Sequence, residues 1–156
     1  MHENHGGWYY EMQVLGYNYR LPDINAALGI SQLERADEGL LRRKTIAKRY
    51  DEAFAKENII TIIPSEGDGH AYHLYIIRVK NRKRVYDELR KYNIFAQVHY
   101  IPVHTLPYYQ SLGYKKGTYP ESEHYYEECL SIPMYPSLTD EEQSYVIEKI
   151  TEIINS

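Results

Sequence analysis

Residues 59–100 read IITIIPSEGDGHAYHLYIIRVKNRKRVYDELRKYNIFAQVHY, and the spacing of the apolar side chains along them decides the fold. Ile59–Ile63 is β-branched throughout and stops at Pro64, which predicts a strand. His73–Lys80 alternates well enough between apolar and polar residues to predict a second strand. Because only a short loop joins the two strands, we expect them to pair in an antiparallel manner.

A helix and a third strand are predicted after this pair. Asn81 is a residue type that favours helix N-caps, and the helix that it starts would end near Tyr92. Ile94–Tyr100 then returns to a strand pattern. The second and third strands would therefore flank one helix, as in a split βαβ arrangement.

A long helical segment is predicted before the sheet. From Pro22 to about Glu57 the apolar residues recur at mixed three- and four-residue steps. Gly39 is the expected weak point, because glycine costs about 1 kcal/mol in a helix interior. Residues 1–21 have no clean pattern and are interpreted as a lead-in arm or loop, which leaves residues 22–156 as the folded domain.

The C-terminal part adds further helices. A short helix is predicted over Glu121–Leu130 and a brief extended piece over Ser131–Pro133. Thr139 followed by Glu142 is a capping-box signature, which predicts the start of the last helix. The fold class is therefore α+β: a small, mainly antiparallel sheet with helices on one face, preceded by a long helical segment.

Composition excludes several classes of protein. The 156 residues carry 18 basic and 22 acidic side chains, and this net charge of −4 argues against binding nucleic acid or anionic membranes by bulk electrostatics. No run approaches the ~20 apolar residues of a membrane helix. One cysteine, Cys129, leaves no internal disulfide framework or multi-cysteine zinc site, so the chain suits a reducing compartment such as the cytoplasm.

His99 and His104 are the first candidate functional residues. They lie at the end of a predicted strand and in the loop that follows, where functional side chains gather. A metal site would need a third ligand, and that segment contains no Asp, Glu or Cys, so no metal is expected. A small-molecule site and plain packing or surface exposure both remain open for the two histidines.

The string Gly16-Tyr17-Asn18-Tyr19-Arg20 places an amide, two phenols and a guanidinium just before the first helix. Arginine offers a planar fork for phosphate or carboxylate, and asparagine adds a neutral donor. The string is thus suited to anion recognition, although a structural turn is the alternative. By contrast, we expect the basic cluster Arg42–Arg49 to be a solvated helix face, because acidic residues surround it.

Several motifs together resemble the sugar-nucleotide aminotransferases of the DegT/DnrJ type. The first is Trp8–Asp37, WYYEMQVLGYNYRLPDINAALGISQLERAD, with its glycine-aromatic-asparagine-aromatic-arginine string and a helix containing two alanines, a glycine and Gln-Leu. The other matching positions are Arg43, Tyr50 and Phe54, Ala96–Pro102 (AQVHYIP) with His104 and Pro107–Tyr109, and Ser131–Met134 with Leu138-Thr139. The resemblance runs from about Trp8 to the end. The segment Gln97-Val98-His99-Tyr100 is most similar to that of the family branch that aminates UDP-4-keto-6-deoxy-N-acetylhexosamines in pseudaminic acid synthesis.

The resemblance implies pyridoxal phosphate as the cofactor and a fold-type I architecture. In this family the lysine that carries the cofactor and the aspartate that pairs with its ring nitrogen lie upstream of the glycine-aromatic-asparagine string. We therefore expect this chain to be the small C-terminal domain with its lead-in arm, without the lysine-bearing domain and inactive alone. Lys116 follows Ser111 at the family's serine-to-lysine spacing but lies downstream of the string, so it is interpreted as surface.

The resemblance also implies roles for particular residues. Asn18 would bind the cofactor phosphate in the neighbouring subunit of a homodimer. Arg20, the other implied cofactor-binding residue, would lie beside it, near the cofactor phosphate or the nucleotide sugar. On the substrate side, the implied residues are Tyr17, His99, Tyr100 and His104. The reaction would move an amino group, from glutamate, to a 4-keto-6-deoxy nucleotide sugar for glycan or surface-polysaccharide synthesis. A free-standing, non-catalytic domain for dimerisation or sugar-nucleotide binding is the alternative.

Overall fold

The computed structural model describes Tyr17, Tyr19 and residues 21–57, 60–62 and 69–156, the side chains of 60–62 excepted. The chain divides into two compact units, Met1–Arg35 and Ala36–Ser156. The predicted boundary between arm and domain, after residue 21, remains a prediction. Within the described ranges, no helix is both long enough and apolar enough to cross a membrane.

The long helical segment consists of two helices. α1 runs over Asp23–Leu33 and α2 over Ala36–Phe54. The break lies at residues 34–35, where the amide of Arg35 donates to the carbonyl of Gln32 in a tighter turn. The predicted break at Gly39 was wrong. A glycine costs only about 1 kcal/mol in a helix, and α2 has packed residues further along its length that outweigh this cost.

The sheet has three strands in the described chain. They are β1 (Ile60–Ile62), β2 (Tyr75–Val79) and β3 (Cys129–Ile132), in that spatial order and antiparallel throughout. The α+β class with a small antiparallel sheet is thus confirmed, as is the second predicted strand. The first is confirmed over Ile60–Ile62, while Ile59 and Ile63 lie outside the described residues.

The third predicted strand was wrong. Residues 94–100 form no strand, and only Gln97 pairs with Ser131 in an isolated antiparallel bridge. The neighbour of β2 is instead β3, whose first two residues had been assigned to the preceding helix. All four residues of β3 are buried, including the polar Ser131, and so short a stretch has no periodicity that separates helix from strand.

The remaining helices follow the predicted order. They are α3 (Arg82–Lys91), α4 (Pro107–Ser111), α5 (Pro120–Glu128) and α6 (Asp140–Asn155), with a 3-10 turn over Val103–Thr105. Asn81 precedes α3 as predicted, but its side chain makes no capping hydrogen bond. The predicted capping box is confirmed, because Thr139 and Glu142 exchange side chain to backbone hydrogen bonds.

One hydrophobic core unites these elements in the second unit. Tyr75, Ile77 and Val79 point from β2 into it, and Leu130 and Ile132 lie beside them on β3. Helices supply the rest: Ile46, Ala47, Tyr50 and Phe54 from α2, Val85 and Leu89 from α3, and Val146, Ile150, Ile153 and Ile154 from α6. Burial raises the pKa of Tyr50 and of Tyr75, and each hydroxyl is satisfied internally, by Pro133 O and Asp51 Oδ1 respectively.

Arg43 connects α2 to the two loops at one end of the central sheet. Its Nη1 donates to the carbonyls of Tyr72 and Met134 at 3.0 Å each, and to that of His73 at 3.4 Å. Tyr72 and His73 lead into β2, whereas Met134 follows β3. The guanidinium therefore satisfies backbone acceptors in two loops that lie far apart in sequence.

The prediction that the basic cluster Arg42–Arg49 forms a solvated helix face was wrong for its arginines. Arg42 donates to the carbonyl of Leu138 and to Asp140 Oδ1 at 2.8 Å, and Arg49 donates to the carbonyl of Asp140 at 2.8 Å. These contacts attach α2 to the start of α6. Only the tertiary structure reveals these contacts. In the sequence, the nearby acidic residues were already a sufficient explanation for the basic side chains.

Replacing Arg43 tests its structural role. We expect Arg43→Ala to lower the free energy of unfolding by about 3 kcal/mol, because two charge-assisted hydrogen bonds of about 1.5 kcal/mol each are lost. Arg43→Lys should fall between wild type and alanine, since one ammonium cannot span the same acceptors. Urea unfolding followed by circular dichroism measures both.

Lys48→Ala on the same helix is the matched control. Its side chain is 79% exposed, and we expect a change within about 0.5 kcal/mol. Equal effects of Arg43→Ala and Lys48→Ala would contradict the assigned role.

Candidate functional site

His99 is held against the edge of the sheet. Its Nδ1 lies 2.7 Å from Ser131 Oγ on β3, and Ser131 is buried. The bridge between Gln97 and Ser131, with backbone hydrogen bonds of 2.9 and 2.7 Å, fixes the segment just before the histidine. Among the described residues, Nε2 of His99 has no hydrogen-bond partner, so this nitrogen remains for a ligand or solvent.

Tyr100 lies next to His99 and faces outward. Its side chain is 74% exposed, and its ring meets the imidazole edge-on at a centroid distance of 4.6 Å. The two predicted site residues thus form one polar aromatic surface. A phenol and an imidazole together can donate to or accept from the hydroxyl, carbonyl or phosphate oxygens of a ligand.

His104 has a different environment. It lies in the 3-10 turn over Val103–Thr105, and its Nε2 is 2.8 Å from Glu123 Oε1, with both residues buried. The same carboxylate oxygen accepts from the amide of Gly117 at 2.6 Å. Gly117 has φ +90, a conformation that favours glycine. His104 therefore joins a buried pair that closes the loop between residues 103 and 123.

The hydrogen bond from His104 lowers the pKa of the Glu123 carboxyl, helped by the Gly117 amide and opposed by burial. Sequence analysis did not single out Glu123, because it is one of four glutamates on or beside α5 and no local pattern distinguishes it. Ser131 was assigned to an extended piece and to a segment that resembles the family, but no sequence pattern indicated its contact with His99.

The other predicted site residues belong to the first unit. Tyr17 is exposed, and its ring stacks on that of Tyr19 at 5.3 Å. Asn18 and Arg20 lie outside the described residues. The structure therefore brings His99 and Tyr100 together and places His104 in its own buried pair. Tyr17 is described only within its own unit.

Two open hollows occur in the second unit near these residues. One, of about 440 Å³, is lined by Arg82, Lys83, Tyr86, Asp87, Gln97 and Val98. The other, of about 430 Å³, is lined by Val103, His104, Tyr109, Tyr114, Tyr119 and Ser122. Each borders one end of the segment that carries His99 and Tyr100.

Neither a metal nor a cysteine nucleophile is indicated in the described part of the chain. No group of three or more His, Cys, Asp or Glu side chains there could hold a metal ion. Cys129 is buried, and burial raises the pKa of its thiol, which disfavours the reactive thiolate. Its Sγ lies 3.8 Å from the carbonyls of His99 and Tyr126. The prediction that Cys129 acts as a small buried hydrophobe is thus confirmed.

The donors of the Gly16–Arg20 string fit a phosphate such as that of pyridoxal phosphate. An amide and a guanidinium are both strong phosphate donors. Tyr17 and Tyr19, which alternate with them in sequence, are exposed. Asn18 and Arg20 lie outside the described residues, so the fit rests on the chemistry of their side chains. Lys116 is exposed, as predicted.

Comparison with known proteins gives consistent matches. A model of the DegT/DnrJ/EryC1/StrS aminotransferase family matches residues 1–151. The spore coat polysaccharide biosynthesis protein SpsC of Bacillus subtilis is 40% identical over 98% of this chain and 42% of its own length. The chain therefore spans about two-fifths of the length of such curated relatives.

Solved structures agree with this match. Spr1654 from Streptococcus pneumoniae, described as a sugar aminotransferase and solved in its PLP form, superposes with a TM-score of 0.85 at 34% identity, over 95% of this chain and 39% of that one. PseC from Helicobacter pylori, an aminotransferase of pseudaminic acid biosynthesis, gives 0.82 at 29% identity, over 96% of this chain and 42% of that one.

The buried pair predicts a dependence of stability on pH. Because the pKa of Glu123 is lower in the folded state, the unfolded state binds more protons near its ordinary pKa of about 4.3. The contribution of the Glu123 carboxylate to stability is thus fully present above about pH 4.3 and is lost as the pH falls through its lower pKa in the folded state. Glu123→Gln should lower the melting temperature at neutral pH and should lose less stability than wild type below about pH 4.3.

Thermal denaturation at several pH values measures this effect. Glu121→Gln, which neutralises an exposed carboxylate on the same helix, is the control and should keep the wild-type acid dependence. A Glu123→Gln variant with the full wild-type acid dependence would show that this carboxylate is not held by His104.

Proposed function

The chain belongs to the DegT/DnrJ/EryC1/StrS aminotransferase family, and from this premise we propose that it forms part of an enzyme that transfers an amino group to a keto sugar nucleotide. The amino donor in this proposal is glutamate, and the product serves glycan or surface-polysaccharide synthesis. The names of SpsC and PseC, which refer to spore coat polysaccharide and pseudaminic acid biosynthesis, support this substrate class.

The observation that carries the proposal is the pairing of His99 with Tyr100. Ser131 occupies Nδ1 of His99, which fixes the ring, while Nε2 and the exposed Tyr100 hydroxyl have no partner in the described chain. A fixed imidazole beside an exposed phenol can orient a sugar or its diphosphate through several hydrogen bonds. In this proposal both residues contact the nucleotide sugar, with Tyr17 on the same substrate.

His104 also belongs to the proposed substrate side. Its Nε2 is committed to Glu123, so any contact with substrate uses the other ring nitrogen. We further propose that the substrate is a UDP-4-keto-6-deoxy-N-acetylhexosamine. The sequence of the Gln97–Tyr100 segment and the similarity to PseC support this proposal.

The cofactor of the proposed enzyme is pyridoxal phosphate, held at its phosphate by Asn18 and Arg20. When bound, it supplies the electron sink that amino-group transfer requires. The role of this chain's string is to bind and orient: the guanidinium offers charge and a bidentate fork, and the amide a neutral donor. No residue of this chain is assigned a catalytic role in the proposal.

A homodimer completes the proposal. α1 contains no buried residue, and Ile24, Leu28 and Leu33 along it are all largely exposed. Aliphatic side chains left open to water favour a partner surface. We propose that a second copy of the chain lies there and that Asn18 serves the neighbouring subunit's cofactor.

Substitution of His99 tests the function, in the polypeptide that contains this chain together with the lysine-bearing domain. With pyridoxal phosphate, glutamate and 4-keto-6-deoxy nucleotide sugars, we expect 2-oxoglutarate to form. His99→Ala should lower kcat/KM for the sugar about tenfold or more, because a hydrogen bond worth about 1.4 kcal/mol is lost. His73→Ala, another exposed histidine, should leave kcat/KM unchanged. Absence of sugar-dependent 2-oxoglutarate would reject the proposed activity.

Asn18→Ala tests cofactor binding separately. A phosphate donor is worth about 1.5–3 kcal/mol, so cofactor retention should weaken about tenfold or more. Equilibrium dialysis measures the retained cofactor, and Asn25→Ala, at an exposed α1 position, is the control. Equal retention by both variants would remove Asn18 from the phosphate site.

Mixed dimers test whether Asn18 acts across the interface. A subunit without the cofactor-bearing lysine is paired with an Asn18→Ala subunit. If Asn18 acts in trans, one site of the heterodimer loses both groups and the other keeps both, with near wild-type rate per site. If verified heterodimers recover no activity, Asn18 does not act in the partner's site.

A further inference from the structure

The second of the two hollows has the dimensions of a ligand site. We call it the tyrosine pocket: it is lined by Val103, His104, Tyr109, Tyr114, Tyr119 and Ser122 and measures about 430 Å³. Small-molecule sites typically occupy about 300–1,000 Å³. The pocket is formed entirely within the second unit.

Four hydroxyl groups at the tyrosine pocket remain without protein partners. In the described part of the chain, the hydroxyls of Tyr109, Tyr114, Tyr119 and Ser122 make no hydrogen bond. Tyr114 is 41% and Tyr119 52% exposed, so each ring is partly enclosed and partly accessible. A tyrosine that becomes further buried needs a partner for its hydroxyl, and a polar ligand would supply one.

Ring contacts hold the walls in place. Tyr119 meets the His104 imidazole edge-on at 5.0 Å, and Tyr109 meets Tyr114 edge-on at 6.4 Å. Behind these rings, Glu123 binds both His104 and the amide of Gly117, which fixes the base of the loop. The aromatic surfaces are thus positioned before any ligand arrives.

The charge of the lining restricts the ligand. Among the described residues that line the pocket there is no Lys, Arg, Asp or Glu, and the imidazole of His104 is already paired with Glu123. The other hollow, with Arg82 and Lys83, has cations that this one lacks. A phosphate would therefore find no cation among the described lining residues, whereas an uncharged ring with hydroxyl or carbonyl groups finds aromatic faces and hydroxyls.

We propose that the tyrosine pocket is a binding site for an uncharged polar ring, such as a nucleobase or a pyranose. The ring packs against the tyrosine side chains and exchanges hydrogen bonds with the hydroxyls of Tyr114, Tyr119 and Ser122. The proposal depends on the proposed function only in the choice of probes, because a sugar nucleotide carries such a ring at each end.

The experiment uses the 156-residue chain with no cofactor or amino donor. Uridine, methyl N-acetylglucosaminide and inorganic pyrophosphate are titrated separately at millimolar concentrations, and binding is followed by NMR of the ligand and of the tyrosine rings. We expect either uridine or methyl N-acetylglucosaminide to bind, which shows whether the pocket takes a nucleobase or a pyranose. Pyrophosphate should not perturb the pocket tyrosines.

Variants locate the binding. Tyr119→Ala should weaken the bound ring about fivefold or more, as expected for loss of one stacking contact, and Tyr119→Phe should weaken it less. Ser122→Trp, at an exposed position, should block the pocket without loss of the core, which covers the case in which Tyr119→Ala does not fold. Tyr108→Phe, on an exposed neighbour outside the lining, is the matched control and should bind as wild type does.

Three outcomes would overturn the proposal: neither ring binds, pyrophosphate alone perturbs the pocket tyrosines, or a ring binds equally well to Ser122→Trp. None of these outcomes depends on amino transfer. An inactive protein can still bind a ring here, and an active aminotransferase can fail to do so, so failure of this proposal and failure of the proposed function are distinguishable.

Discussion

The guanidinium of Arg43 donates to backbone carbonyls of two loops at the same end of the sheet, at Tyr72 before β2 and at Met134 after β3. Each of these charge-assisted hydrogen bonds contributes about 1.5 kcal/mol. α2 supplies the arginine and also buries Tyr50 against Tyr75. One charged group and one aromatic contact therefore act together with the shared core to hold the sheet against the helix.

The candidate site follows from the choice of β3 as the neighbour of β2. With Leu130 and Ile132 turned into the core beside Ile77 and Tyr75, Ser131 must point to the opposite face, because side chains alternate along a strand. There it meets His99. The histidine thus owes its fixed orientation to strand pairing rather than to its own neighbours in sequence.

His104 and His99 show how two histidines five residues apart acquire different environments. One is half exposed beside Tyr100, and the other is buried against Glu123. The pair formed by His104 and Glu123 stabilises a loop whose tyrosines line a pocket, so a residue that resembles a ligand contact in sequence also organises the walls of a neighbouring hollow. In the proposal of a ring-binding site there, ligand binding and the stability of the loop are linked through the Glu123 carboxylate.

The sequence by itself determined the α+β class, the antiparallel pairing of β1 with β2, the capping box of α6 and the family, because each depends on local periodicity, turn chemistry or a short motif. It also indicated His99 and Tyr100. Only the tertiary structure decided that β3 rather than residues 94–100 pairs with β2, that Arg42, Arg43 and Arg49 form tertiary contacts, and that Glu123 and Ser131 hold the two histidines. These are contacts between residues far apart in sequence, whose geometry arises only when the helices and the sheet pack around one core.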